Sequence, residues 1–409
     1  MSTNAAGASS SVWRQAENAV VAGDVTTLER LLRDHKDIFQ NQRPQSSWPG
    51  GLRPDYEAGD ARAIIVSTHH FETWEQFLVH AEAVQDPNSS IARFETAADA
   101  IAGGDMATIE RLLNYDPELI RARSTRKHHS MLLHYTGANG VEAFRQRTPK
   151  NAVQVAEALL RAGAEVDAVA DMYGGSTTLS LIATSIHPQL AGLQQELIDL
   201  LLAHGARMDH AGTAGNVHAL VNGCLANGRG EAAEFLARRG APLDLEGAAG
   251  VGRLDIVQSF FNPNGSLTAA ATLEQMRDGF GWACEYGRGN VVEFLLDHGM
   301  DADSRLPRTG NGHGKTGLHW AALGGNVEIV KALLNRNVPV DVKDQTYGAT
   351  PLGWALYAWQ KEQAAARADR YPEIVALLVA RGATVEPDWL RDERVRADRK
   401  MLGALELGA

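Results

Sequence analysis

The chain has 409 residues and the usual mixture of apolar and charged residues for a folded protein, so its composition excludes global disorder. Its net charge of −11 and pI near 5.7 argue against a nucleic-acid partner or an anionic membrane, because both require clustered lysine and arginine. No run approaches the roughly 18 apolar residues of a spanning helix, which argues against any membrane partner.

The N-terminus and the cysteines indicate where in the cell the protein is located. Residues 1–11 lack the basic and apolar regions of a signal peptide and are expected to be disordered. The two cysteines, Cys224 and Cys284, lie in predicted helices, where they are expected to be buried and inert. We therefore expect a cytoplasmic protein.

Two segments near the N-terminus, residues 19–39 and 100–120, align with each other without a gap. In both, a glycine is predicted to end one helix and the aspartate after it to cap the next. These positions are Gly23 and Asp24 in the first segment, and Gly104 and Asp105 in the second. Each segment is therefore predicted to be a divergent helical hairpin.

An insertion follows the first hairpin within residues 12–93. Residues 41–55 are rich in proline, glycine and serine and are predicted to form an irregular loop. Two helices are predicted over 61–66 and 71–84, with Trp74, Phe77 and Leu78 on one face of the second. We interpret this insertion as a helical cap on the array that follows.

The clearest unit is 316–344, TGLHWAALGGNVEIVKALLNRNVPVDVKD. Gly324 and Gly325 are predicted to end a first short helix, and Asn326 to cap a second. The second helix carries one apolar stripe at helical spacing. This stripe consists of Ile329, Val330, Leu333 and Leu334. One hairpin cannot bury such a stripe alone, so the unit is predicted to stack on copies of itself.

Variants of this unit recur through residues 94–386. A glycine, or once an asparagine, follows each second helix, at a spacing of about 34 residues with insertions. These positions are Gly163, Gly205, Gly240, Gly265, Gly299, Asn337 and Gly382. The segment 387–409 is predicted to be a helix that caps the last unit.

The repeat resembles the ankyrin family. Its opening pattern T-P-L-H-x-A is matched by Thr316, Leu318, His319, Ala321 and Ala322, and a second unit contains the tripeptide TPL at 350–352. The run VNGCLANGRGEAAEFLARRGAPLDLEGAAGVGRLDIV is also similar to bacterial ankyrin-repeat proteins of unassigned activity. The resemblance implies an all-α solenoid of helix-turn-helix units, with the N-terminal helical insertion and the C-terminal capping helix.

In an ankyrin stack, the residue after the motif histidine points toward the concave face. In the C-terminal units this position and the next turn of the same helices are aromatic or acidic, and in the middle units it is small, at Gly223 and Gly247. The sequence therefore predicts a groove with room at its centre and amphipathic rings along one half. The predicted groove residues are Tyr135, Trp282, Glu285, Tyr286, Trp320, Trp354 and Tyr357. The alternative interpretation is that these rings pack between neighbouring units.

We interpret the chain as a scaffold or inhibitor that grips a protein partner in this groove. The alternative is an enzyme or small-molecule binder, in which insertions at 141–150, 187–192 and 360–371 close the groove into a pocket. Its catalytic groups would come from Glu285, Tyr286, Tyr135 and His187, although no pattern singles them out.

Other apparent motifs do not predict chemistry. His134 and His319 occupy the motif position, where the resemblance implies a hydrogen bond to the adjoining turn. His128, His129 and His134 match no metal-ligand spacing. The run GNGHGKTG at 310–317 lacks the first glycine of a phosphate-binding loop, and Lys315 is better explained as part of a turn that enters the repeat. We expect no metal, no cofactor and no identifiable catalytic residue.

Overall fold

The computed structural model describes residues 2–36, 39, 58–210, 218–306, 314–361 and 368–407. These residues form helices joined by turns, with isolated β-bridges at a few of the turns. Within these ranges, no helix combines the length and the apolar character needed to cross a membrane. Residues 1–220 and 221–409 form two compact units. The predicted loop at 41–55 lies outside the described residues.

The N-terminal unit consists of α-helices joined by turns and short 3-10 segments. Its first helix begins at Ser2, inside the segment that we expected to be disordered, where several alanines favour the helix. Its helices are α1 Ser2–Ala22, α2 Val25–Asp34, α3 Ala61–Thr68, α4 Trp74–Gln85, α5 Ser90–Gly103, α6 Met106–Tyr115, α7 Ala152–Arg161, α8 Thr178–Thr184, α9 Ile186–Leu190 and α10 Gln194–Ala203.

The two aligned N-terminal segments form hairpins capped as predicted. The Asp24 carboxylate accepts a 3.0 Å hydrogen bond from the backbone N–H of Thr27, and Asp105 accepts one of 3.1 Å from Thr108. These bonds satisfy N–H groups that have no partner inside the helix.

One predicted face of the insertion differs in the structure. In helix α4, Phe77 is buried, but Leu78 is 48 % exposed and does not share its face, contrary to the prediction.

The unit that opens at Met131 differs from the reference repeat. Instead of a short α-helix, it has a 3-10 helix, Leu132–Gly137, followed by Ala138 with φ +46°. A side chain at Gly137 would meet Leu181 of α8, because its Cβ would lie 2.7 Å from the Leu181 Cβ. The close approach of the neighbouring helix and the left-handed residue account for the tighter, shorter turn.

A buried ionic cluster joins separate segments of the first repeats in the array. The Arg126 and Arg145 guanidinium groups lie 2.8 Å and 2.7 Å from Oε2 of Glu95. Arg126 also lies 2.7 Å from Oε1 of Glu142, which contacts His128 Nε2 at 2.9 Å. All five side chains are buried. Burial alone would raise the pKa of Glu142, but the hydrogen bond from His128 and the two guanidinium charges hold it well below its usual range.

The C-terminal unit is a series of helical hairpins. The first helices α13, α15, α17 and α19 pack in sequence, each against the next. Its helices are α11 Ala219–Ala226, α12 Gly230–Arg238, α13 Leu245–Gly250, α14 Leu254–Ser259, α15 Leu273–Glu285, α16 Gly289–Asp297, α17 Gly317–Leu323, α18 Val327–Leu334, α19 Pro351–Lys361, α20 Tyr371–Ala380, α21 Glu393–Ala397 and α22 Arg399–Glu406.

The residues predicted to follow the second helices all adopt a left-handed backbone. Their φ angles run from +56° at Asn337 to +93° at Gly163. At most of them a Cβ would meet nothing within 4 Å. A larger side chain would therefore fit at most of these positions. Glycine is favoured there because the backbone is left-handed.

Neighbouring hairpins approach closely at Gly324 and Asn326. A Cβ on Gly324 would lie 2.0 Å from the carbonyl oxygen of Glu285, so only glycine fits there. The Asn326 side chain does not cap α18, contrary to the prediction. Its Nδ2 instead donates 2.7 Å hydrogen bonds to the carbonyl oxygens of Cys284 and Glu285 at the end of α15. The predicted stripe on α18 is buried, which confirms the repeat register.

The end of the chain differs from the predicted single capping helix. A 3-10 turn, Trp389–Arg391, is followed by the two short helices α21 and α22. The Asp392 and Asp398 carboxylates accept hydrogen bonds from the N–H groups of Arg394 and Lys400, so each aspartate begins a new helix. The apolar face of α22, with Met401 and Leu405 buried, packs against α20.

Candidate functional site

A cavity of about 470 Å³ opens between the last hairpins of the C-terminal unit, and we call it the aromatic pocket. Helix α17 and helix α19 form its walls, and the turn between α18 and α19 forms one edge. Its lining residues are Lys315, Trp320, Leu323, Tyr347, Ala349, Gly353, Trp354 and Tyr357. Three of the predicted groove residues, Trp320, Trp354 and Tyr357, are among them.

The Lys315 side chain occupies a box of three aromatic rings. Its Nζ lies 4.3 Å from the ring centroid of Trp354, 4.9 Å from that of Trp320 and 5.6 Å from that of Tyr347. Only 2 % of the residue is exposed. An ammonium group over aromatic faces is attracted by their quadrupoles, and this attraction grows as water is removed. Lys315 also belongs to the predicted turn, since its carbonyl accepts a 2.8 Å hydrogen bond from the N–H of Leu306.

Asp344 orders the turn that carries Tyr347. Its carboxylate accepts hydrogen bonds from the backbone N–H groups of Thr346, Tyr347 and Ala349, at 2.8, 2.7 and 3.0 Å. It also accepts one of 3.1 Å from the indole N–H of Trp354. Burial raises the pKa of Asp344, but these donors outweigh it and lower the pKa overall. The carboxylate therefore stays ionised and fixes the turn relative to the ring.

The rim of the pocket is aromatic and exposed. Tyr347 is 63 % exposed and Tyr357 is 57 % exposed, whereas Trp320 and Trp354 are buried. The Trp320 and Trp354 centroids lie 5.7 Å apart with an interplanar angle of 66°. The site therefore combines a fixed aromatic interior with two tyrosines at the surface.

The remaining predicted groove residues of the C-terminal unit have structural partners. Trp282 is buried, and its indole N–H donates a 2.8 Å hydrogen bond to Glu246. The Tyr286 hydroxyl donates a 2.7 Å hydrogen bond to the carbonyl of Leu225. Glu285 is half-buried, and its backbone carbonyl accepts from the neighbouring hairpin. None of the three lines the aromatic pocket. These contacts favour the interpretation that Trp282, Glu285 and Tyr286 pack between neighbouring units over the interpretation that they form a binding groove.

The predicted room at the centre of the groove is absent at Gly247. A Cβ there would lie 2.7 Å from Oδ1 of Asn222. The Asn222 amide donates a 3.1 Å hydrogen bond to Asp244, which also accepts one of 2.8 Å from the N–H of Gly247. The Asn222 side chain occupies the space beside Gly247, so the prediction of open space was wrong at this position.

Tyr135 is part of the core of the N-terminal unit. It is fully buried beside Phe94 and His128, and the Arg145 guanidinium lies 5.8 Å from its ring centroid. Its assignment to an exposed groove was therefore wrong. Burial raises the pKa of its hydroxyl well above the ordinary value.

The motif histidines have the predicted structural role. The Nδ1 of His319 accepts a 3.1 Å hydrogen bond from the N–H of Thr316, and its Nε2 lies 3.2 Å from the carbonyl of Ala349 in the next turn. His134 makes the equivalent pair with Met131 and Ala168, at 3.0 and 2.9 Å. These contacts require the neutral imidazole with its proton on Nε2.

The other candidate metal ligands of the N-terminal unit contact separate partners. His128 bonds Glu142, and His129 Nδ1 lies 2.8 Å from the exposed carboxylate of Asp171. No cluster of three potential ligands able to hold a metal ion occurs in the described ranges. Residues 310–313 of the glycine-rich run lie outside these ranges.

Comparison with known proteins identifies the repeat. The family profile described as Ankyrin repeats (3 copies) matches residues 245–344 and 280–388, which include the aromatic pocket. Inversin from Gallus gallus is 42% identical over 65 residues, which are 16% of this chain. The alignment spans only 6% of Inversin, so the similarity concerns a short segment of that protein. The resemblance to bacterial proteins stays a prediction.

Proposed function

We propose that residues 245–388, which are ankyrin repeats, bind a protein partner and that the aromatic pocket is the centre of the contact. Ankyrin repeats generally mediate protein–protein interaction, and stacked repeats present extended binding surfaces. The proposal narrows the predicted groove to its C-terminal part, where Trp320, Trp354 and Tyr357 line a cavity.

The observation that carries this proposal is the exposed aromatic rim. Tyr347 and Tyr357 expose more than half of their surface beside a cavity, whereas large aromatic residues elsewhere in this unit are mostly buried. Tyrosine at the edge of a pocket supplies apolar contact area with little loss of side-chain entropy and can still hydrogen-bond. Such sites are where a few residues carry most of the binding free energy.

The tryptophans themselves are poor probes of this function, because Trp320 and Trp354 are buried and their removal would also change stability. Gly353 is the better position. It lies on α19 and lines the pocket, and its Cβ would meet Ala349 and Trp389 at an ordinary 3.7 Å. A Gly353→Leu side chain therefore fits at Cβ and fills the cavity beyond it.

The test compares affinity capture of partners from the source cell by wild type, Gly353→Leu and Gly403→Leu. Gly403 is an exposed glycine on α22 whose Cβ would meet nothing within 4 Å, so the control makes the same change away from the pocket. We expect a protein that binds wild type and Gly403→Leu to be lost from Gly353→Leu, although both variants should be at least as stable as wild type because leucine favours a helix more than glycine does. Equal capture by both variants would refute the pocket as the contact.

We also propose that the protein works in the cytoplasm. Cys224 and Cys284 are buried and form no disulfide, and burial raises the pKa of Cys224 to about 12 and raises that of Cys284 as well. Cysteines that form no disulfide are usual in a reducing compartment. Immunodetection in fractionated source cells tests this, and recovery outside the cytoplasmic fraction would contradict it.

A further inference from the structure

We propose that the aromatic pocket takes an aromatic side chain from an extended segment of the partner, and that an acidic residue two positions away in that segment pairs with Lys361 at the rim. This inference rests on the proposed function and adds the chemistry and the spacing of the partner. It assigns a role to Lys361, which the sequence did not single out for binding.

The polar groups inside the pocket already contact other groups of the protein. The Lys315 ammonium is buried and lies over the faces of three rings. The indole N–H of Trp354 donates to Asp344, whose carboxylate accepts hydrogen bonds from four N–H groups in all. An occupant that needed hydrogen bonds would lose those that it makes with water. The interior of the pocket therefore selects an apolar group.

The geometry of the rings favours an aromatic group within that class. The Trp320 and Trp354 rings meet at an angle of 66°, and Tyr357 adds a third ring at the rim. Rings at such angles offer both faces and edges to a ring that enters between them. The cavity of about 470 Å³ falls in the usual range of about 300–1,000 Å³ for pockets that enclose a small ligand, so a whole side chain fits.

The rim beside the pocket carries an accessible positive charge. Lys361 is the last residue of α19, and its Nζ lies 5.7 Å from the ring centroid of Tyr357. It is exposed, and it forms no ion pair with the residues that the structure describes. Near Gly353, the exposed Asp388 and Arg391 pair at 3.2 Å, so their charges largely cancel. A carboxylate of the partner therefore complements the charge at the rim.

The spacing along α19 sets the position of this carboxylate. Gly353, Tyr357 and Lys361 follow one another at intervals of four residues, so they lie on nearly the same face, each about 6 Å farther along the axis. Because the Lys361 ammonium lies beside the Tyr357 ring, the charge is about one turn beyond Gly353. In an extended chain, residues two positions apart point to the same side and are about 7 Å apart. An aromatic residue and an acidic residue at that spacing therefore reach the pocket and Lys361 together.

The experiment measures binding of defined peptides to the full chain by peptide-observed NMR titration. The probe is Gly-Ser-Glu-Gly-X-Gly-Glu-Ser-Gly, acetylated and amidated so that its ends carry no charge. It places a glutamate two positions from X in both chain directions. X is Phe, Trp or Ala, and each peptide is also made with glutamine in place of both glutamates. N-acetylphenylalanine amide represents a small aromatic molecule without the chain.

We expect the Phe or the Trp peptide to bind at least about tenfold more tightly than the Ala peptide, because a buried anchor carries most of the binding free energy. The glutamate form should bind about threefold more tightly than the glutamine form at low ionic strength, and this preference should shrink in about 0.5 M salt. The net charge of −11 would by itself favour the glutamine form, so a preference for glutamate reports a local positive charge.

Two lysine variants assign this local charge. Lys361→Met keeps the methylene stem beside Tyr357 but removes the charge, so it should abolish the preference for glutamate. Lys331→Met is the matched control and should retain the preference, because Lys331 pairs with Glu328 and Glu373 on the surface of α18.

Several results would overturn this assignment: equal binding of the aromatic and Ala peptides, equal binding of the glutamate and glutamine forms, or no binding of any peptide at about 1 mM. An unchanged preference in Lys361→Met, or binding of N-acetylphenylalanine amide as tight as that of the Phe peptide, would do the same. A captured partner lost from Gly353→Leu but held equally by wild type and Lys361→Met would overturn the acidic contact alone. Retention by Gly353→Leu would refute the proposed function itself.

Discussion

The indole Nε1–H of Trp354 donates a 3.1 Å hydrogen bond to Oδ2 of Asp344. Asp344 also accepts three backbone hydrogen bonds from the turn that carries Tyr347. One carboxylate therefore sets both the wall and the rim of the aromatic pocket. The shape of the pocket depends on a residue that does not line it.

Asp344→Ala should lower the free energy of unfolding by about 3 kcal/mol, because several N–H groups lose a charged acceptor at once. Urea unfolding followed by circular dichroism measures this. Asp369→Ala is the control, since Asp369 is exposed and its 3.4 Å contact with Lys400 is a surface pair worth at most about 1 kcal/mol. Equal unfolding midpoints for the two variants would contradict the role of Asp344.

Glu142→Gln should destabilise the protein by about 3–5 kcal/mol, because it removes a buried charge that compensates the Arg126 and Arg145 guanidinium groups. The matched control is Glu118→Gln, which breaks an exposed contact of 3.9 Å with Arg121. Thermal melts of both variants at neutral pH make the comparison. A loss no larger for Glu142→Gln than for the control would show that the cluster contributes nothing.

Acid should destabilise the fold through the motif histidines. Burial lowers the pKa of His134 and of His319 from 6.5 to about 4, against smaller opposing effects of their backbone hydrogen bonds. The unfolded chain therefore binds protons that the folded chain does not as the pH falls below 6.5. Stability is lost between pH 6.5 and about 4, by about 2 kcal/mol for each histidine at pH 4.5.

His319→Gln tests this dependence, because glutamine can accept and donate hydrogen bonds but does not titrate. Its free energy of unfolding should fall by about 2 kcal/mol less than that of wild type between pH 6.5 and 4.5, whatever its stability at neutral pH. Urea unfolding at both pH values gives the difference. Parallel pH profiles for the two proteins would exclude His319 as a contributor.

Gly299→Ala should cost about 1–2 kcal/mol, although a Cβ there meets nothing within 4 Å. The cost comes from the backbone, since Gly299 has φ +91°. Gly403→Ala, in the helical α22 with the same open surroundings, should instead stabilise by about 0.5–1 kcal/mol. Opposite shifts in melting temperature are expected, and a shift in the same direction would contradict the backbone argument.

The repeating part of the fold was predictable because each hairpin carries its own signals. Each signal depends on only a few neighbouring residues. The signals are a capping aspartate such as Asp24 before α2, an apolar stripe, and a left-handed residue after the second helix, such as Asn337 after α18. The 3-10 helix after Met131 was not predicted, because the approach of Leu181 decides it. The break before α22 was missed, although Asp392 and Asp398 were available as caps.

The candidate site was predictable only in part. Trp320, Trp354 and Tyr357 were found from their place in the repeat, but the same rule also selected Trp282 and Tyr135, which do not line the pocket. Position in a helix does not determine which segments surround a side chain. Lys315 and Tyr347 lie in turns whose paths depend on tertiary hydrogen bonds. The buried cluster around Glu142 draws on separate segments that share no sequence period, so no local signal identified it.

The two hydrogen bonds from Asn326 to the carbonyls of Cys284 and Glu285 concern the cooperativity of folding. In a linear array, stability is a sum of terms within repeats and terms between nearest neighbours. Asn326 belongs to one repeat but satisfies the helix end of the repeat before it, so fraying of the second exposes unpaired carbonyls in the first. Such a contact raises the nearest-neighbour term and favours the loss of both repeats together over the unravelling of one.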